Sequence, residues 1–121
     1  MTVKKAINDL DSLREGNSCS TETLRGWLAE LENLIRIEVY DPHSVSGCEF
    51  DDSPMTDDRE LLCPPGFEKL YPDYLVMMTD LNNGDMDVYN NEAIIFNRRF
   101  SEMSDYVNRT ETSSGVSSLT V

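Results

Sequence analysis

The stretch VYNNEAIIFNRRFSEMSDYV, residues 88–107, decides the fold. Tyr89, Ala93, Phe96, Phe100, Met103 and Val107 recur at steps of four, three, four, three and four, the spacing of one face of an α-helix. Its asparagines are poor helix formers, but the cost is only roughly half a kcal/mol each, less than the buried stripe returns. On a wheel of about 100° per residue, Asn90 and Asn97 fall together on one flank of the stripe and Asn91 lies nearly opposite. The flank position predicts a core boundary, where the two amides satisfy backbone groups of a neighbouring loop or helix end. Ile94 and Ile95 point away from the stripe. Burying such a side chain gains about 1.5 to 3 kcal/mol, so two on an outward face imply a second surface to cover.

Working outward, Asn82, Asn83 and Gly84 close a preceding helix, and Asp85 and Asp87 favour the positive end of the one that follows. That preceding helix carries Phe67, Leu70, Tyr71, Tyr74, Leu75, Met78 and Leu81. LVMM, residues 75–78, covers nearly its whole circumference, which marks the central helix. Pro72 lies inside the pattern, so either Pro65–Tyr71 is a separate turn or the helix is kinked. Towards the N-terminus, Val3, Ile7, Leu10 and Leu13 predict a helix over 2–14, with Gly16 and Asn17 to end it. Ser20 is a candidate N-cap for another, running through Leu24, Trp27, Leu28 and Leu31 to about Val39. Arg25, Glu30, Glu32 and Arg36 read as its solvated side, with Glu32 and Arg36 a weak i,i+4 pair.

Between these helical halves the signal stops. Residues 40–65 hold Pro42, Gly47, Pro54, Pro64 and Pro65 among acidic side chains, a long acidic loop in which Val45–Phe50 and Glu60–Cys63 are candidates to pair as a short hairpin. After Arg109 the chain reads TETSSGVSSLTV, without helical period, and is expected to be an extended C-terminal tail. In the tail Val116, Leu119 and Val121 are apolar or β-prone, and Leu119 and Val121 alternate as along a strand, which suits docking against a sheet edge. The expected fold is all-α: a small four-helix bundle-like domain over 1–109, with the acidic loop between its second and third helices and the tail over 110–121.

Composition narrows the function. With 23 acidic and 10 basic residues in 121, the formal charge of −13 repels a phosphate backbone. No run of about 18 apolar residues occurs, and the N-terminus turns acidic too early for a signal peptide, so synthesis in the cytosol and no membrane contact are expected. Cys19, Cys48 and Cys63 lie far apart with no CxxC pair, which predicts reduced, non-ligating thiols. DLNNGDMDVYNNE, residues 80–92, resembles a calcium loop but puts Asp85 where glycine belongs and Asn91 where glutamate belongs, so a helix-to-helix turn is the better reading. His43 is the single histidine, and no phosphate-binding loop, nucleophile elbow or dinucleotide fingerprint occurs. Neither a catalytic set nor a cofactor or metal site is expected.

Three pieces carry a family likeness: ETLRGWLAELENLIRIEV with Trp27; ELLCPPGFEKLY; and YNN followed by FN, in which Tyr89, Asn90, Asn91, Phe96 and Asn97 stand. In their order they resemble the small head-to-tail connector (adaptor) proteins of tailed bacteriophages and prophages, over residues 1 to about 108. The resemblance implies a helical structural protein in the neck of the virion, made in the host bacterial cytoplasm. Copies form a ring, commonly of twelve, on the portal protein, which a C-terminal arm helps to hold. The ring contacts the next neck or tail protein, and DNA passes through it without specific binding. Under that likeness Ile94 and Ile95 are candidate subunit-interface residues, and Val116, Leu119 and Val121 candidate portal-docking residues. A different class also fits the charge: a small acidic phage regulatory protein, a decoy for a host nucleic-acid-binding protein.

Overall fold

The computed structural model describes residues 1–14, 19–40 and 55–115. They form an all-α fold of four helices: α1 (Val3–Leu13), α2 (Thr21–Ile35), α3 (Leu70–Asn82) and α4 (Met86–Gly115). A π-helical turn, Arg36–Tyr40, continues α2. The helices start as their caps dictate. Thr2 Oγ1 accepts from the Lys5 amide and Ser20 Oγ from the Thr23 amide, each satisfying one donor that a first helical turn leaves free.

Helix α3 is the hub, packing against α1, α2 and α4. Its Tyr71, Leu75, Val76 and Met77 are buried, as the all-round apolar run LVMM foretells, although Met78 is only half-buried. Pro72 does not interrupt α3. A turn over Pro64–Phe67, closed by the Phe67 amide on the Pro64 carbonyl, places Pro65 ahead of Gly66 at φ 98°, the type II arrangement. The helix proper starts at Leu70, so Pro72 sits in its first turn, where a missing N–H removes no intrahelical bond.

The turn into α4 is closed by backbone bonds. Gly84, at φ 81°, donates to the Leu81 carbonyl and Asp85 to the Asp80 carbonyl, a Schellman pair that ends α3 and starts α4 within three residues. From there the α4 stripe enters the core: Phe96, Met103 and Val107 are buried, with Tyr89, Ala93 and Phe100 packed against them.

Two expectations need correction. Helix α4 runs on to Gly115, so Thr110–Gly115 is helical rather than extended; once a helix is nucleated each further residue costs little, and the Thr110 hydroxyl donates back to the Tyr106 carbonyl. Glu60, one end of the candidate hairpin, forms a single antiparallel bridge with Thr2, flanked by Val3 N–H to Arg59 O at 3.0 Å and Leu61 N–H to Met1 O at 2.9 Å. The proposed partner strand, Val45–Phe50, lies outside the described residues, as do Gly16, Asn17, His43, Cys48, Val116, Leu119 and Val121.

Glu32 is the second correction, being 1% exposed instead of solvated. Its Oε1 accepts from the Tyr71 hydroxyl at 2.7 Å and its Oε2 from the Leu62 amide at 2.9 Å, while the Cys63 amide donates to the Tyr71 oxygen at 2.8 Å. One carboxyl thus ties α2, α3 and the segment before α3 together. Burial pushes this carboxyl up from its ordinary value, against the pull of both hydrogen bonds. Burial likewise pushes the Cys63 thiol up to about 12, which makes it an inert core thiol.

Candidate functional site

Helix α4 presents two different sides. Its stripe faces α3 and the core, with Phe96 against Tyr74 and Phe100 at ring-centroid distances of 5.4 and 6.1 Å. Trp27 of α2 and Tyr89 of α4 are half-buried against that core, so their part is packing. Away from the stripe, Ile94 is 68% and Ile95 43% exposed, with Val88 and Met86 exposed on the same helix. A second exposed apolar set, Leu34 and Ile37, stands where α2 passes into the π-helical turn. Both sets leave apolar area in water that no described residue covers.

Asn90 and Asn97 are exposed, which overturns their placement at a core boundary. A wheel shows two flanks of a stripe but not which one has a neighbour. Here α3 lies on the flank of Glu92 and Arg99, and the asparagine flank meets solvent. Their amides therefore have no buried backbone group to satisfy.

On the α3 flank lies a groove of about 210 Å³, lined by Asp73, Val76, Glu92, Ile95, Phe96 and Arg99. Arg99 Nη1 donates to Asp73 Oδ2 across it at 2.7 Å. At its inner end Glu92 meets Asp80 and Arg14. Arg14 grips Asp80 with two nitrogens, Nε at 3.1 Å and Nη2 at 2.9 Å, and Nη2 also reaches Glu92 Oε2 at 3.1 Å. Asp80 is thereby committed to a guanidinium, so the first ligand position of the calcium-loop-like stretch is taken by an ion pair. Among the described residues no group of three or more His, Cys, Asp or Glu side chains could hold a metal ion, and no helix is long and apolar enough to cross a membrane.

The Arg14, Asp80 and Glu92 cluster escaped the sequence, because its members are 66 and 78 residues apart and each looks like an ordinary surface charge. Glu32 did leave a signal. On a wheel of about 100° per residue it falls within roughly 20° of Val39, at the edge of the apolar arc of its helix.

No protein-family model matches the chain, and neither a curated protein nor a solved structure matches it.

Proposed function

We propose that the protein is a structural virion component: a subunit of the head-to-tail connector ring of a tailed bacteriophage or prophage. It docks on the portal protein, meets the next neck or tail protein on its other side, and lines the passage for DNA. The observation that carries this reading is the exposure of Ile94 and Ile95 on a helix whose other face is already committed to the core. A ring needs two unlike surfaces per subunit, one for each neighbour. Ile94 and Ile95 on α4, with Leu34 and Ile37 beside the π-helical turn, supply two apolar sets on different elements. The charge of −13 supports a wall along which DNA slides without sticking. The resemblance of the Trp27 and Tyr89–Asn97 pieces to connector proteins supplies the partner.

Replacing Ile94→Asp together with Ile95→Asp tests it. Exposed positions outside any buried network shift stability by about 0.5 kcal/mol or less, so circular dichroism of the double variant keeps its helical signal. Electron microscopy of portal-bearing particles mixed with the variant shows few or no rings. Normal rings would sink the interface assignment. A wild-type chain that stays monomeric or dimeric and ignores the portal would sink the connector reading and leave the acidic decoy.

A further inference from the structure

Arg14, which follows α1 as its C-cap, is shared by two carboxyl groups from two other helices. Asp80 on α3 is 6% exposed at its side chain and takes the bidentate grip; Glu92 on α4 is 24% exposed and takes one bond from the shared Nη2. One guanidinium cannot neutralise two carboxylates, so a fully ionised cluster carries a net negative charge in a partly desolvated site. The hydrogen bonding points the same way. Glu92 Oε1 is buried and no donor reaches it, while Asp80 Oδ2 and Glu92 Oε2 converge on the same Arg14 nitrogen, 2.9 and 3.1 Å from it. Two acceptors facing each other repel unless one of them carries a hydrogen.

We propose that Asp80 and Glu92 hold a single proton between them beside Arg14, and that this proton latches the first half of α4 onto α3 and the end of α1. Protonated, Glu92 donates to the Asp80 carboxylate, Arg14 balances the remaining charge, and the orphan oxygen is satisfied. When the proton leaves, two carboxylates compete for one guanidinium, and Glu92 has a route outward into the groove it lines with Ile95 and Arg99. The other charges nearby do not replace the proton. Asp73 on α3 acts on Glu92 with the same sign and is itself engaged by Arg99. Asp85 in the turn acts on Arg14. Of the charges on the π-helical turn that also packs on α4, Arg36 acts on Glu32, and Glu38 is exposed.

The two carboxyl groups are driven apart in acidity. Burial, then the contact with Asp80, pushes Glu92 up to about 7, whereas the Arg14 guanidinium holds Asp80 below its ordinary value. A carboxyl whose folded pKa exceeds its unfolded one stabilises the fold at low pH. That contribution drains away as pH climbs from the ordinary value, about 4.3, towards the folded value. The latch is therefore closed in mild acid and open above neutrality.

Amide hydrogen exchange of Val88–Phe96 in the full chain, corrected for the intrinsic pH dependence of exchange, reads the latch. Between about pH 5.5 and about pH 8 the protection of these amides is expected to fall at least tenfold, the weight of one pKa unit. Glu92→Gln keeps the shape but cannot ionise, and its protection should stay within about twofold over the same range. An equal fall in Glu92→Gln would overturn the proposal. So would a carboxyl-carbon NMR titration of the wild-type chain in which Glu92 ionises near 4.3, a result independent of how the variant folds.

Discussion

A single carboxyl at position 32 joins three parts of the chain. Glu32 accepts one hydrogen bond from Tyr71 on α3 and one from the part-buried Leu62 amide, and Tyr71 accepts in turn from the Cys63 amide, the two bonds of Tyr71 lying in the buried interior. Each group has what it needs, so the network costs little as built and much when broken. Tyr71→Phe conserves the ring and its packing while leaving Glu32 Oε1 and the Cys63 N–H without their partner. The expected loss is about 1 to 3 kcal/mol, seen as a lower urea midpoint with an unchanged slope. A midpoint within error of the wild type would mean that water takes over both bonds and that the hydroxyl is not structural. The exposed amides of Asn90 and Asn97 are the contrast, since water serves them already in the folded chain.

At the scale of elements, the link between α3 and α4 takes three residues, and it depends on one backbone angle. Gly84 holds φ 81°, and a Cβ there would touch nothing within 4 Å, so the cost of a side chain is conformational and not steric crowding by neighbours. Gly84→Ala should lose about 1 to 2 kcal/mol, and Gly84→Asn less, because asparagine tolerates the left-handed region better. Equal urea midpoints for all three chains would show that the turn relaxes to another form. This joint was legible in the sequence, as were the Ser20 cap and the α4 stripe, because each depends on residues a few positions apart. Glu32 was misread because residue type suggested a surface; its angle beside Val39 did not. The continuation of α4 to Gly115 was not legible either: no apolar residue follows Val107 before Val116, so there is no stripe to follow, only the low cost of extending a helix already formed. The Arg14 cluster depends on how three helices meet, which no periodicity within one helix encodes.

For the whole molecule, charge and burial set the pH dependence together. Glu92 and Glu32 both have raised carboxyl pKa values, so the unfolded chain ionises before the folded one and stability falls as pH rises above the ordinary carboxylate range. Asp80 has the opposite sign: held low by Arg14, it contributes above its ordinary value and is lost only in stronger acid. The formal charge of −13 adds self-repulsion that grows over the same interval in which Glu92 loses its proton. Thermal unfolding should therefore show its highest midpoint near pH 5 and a midpoint lower by at least about 4 °C near pH 7.5, the shift that roughly 1 kcal/mol produces in a domain of this size. Salt separates the two causes. At about 0.5 M NaCl the diffuse repulsion between exposed carboxylates is screened within a few ångströms, whereas the partly buried Glu92 and the buried Glu32 feel little of it. Added salt should then recover only part of the lost midpoint, and Glu92→Gln should recover a further part that is additive with salt. A midpoint that is flat or rising between pH 5 and pH 7.5 would contradict both raised carboxyls, and full recovery by salt alone would assign the whole effect to the surface.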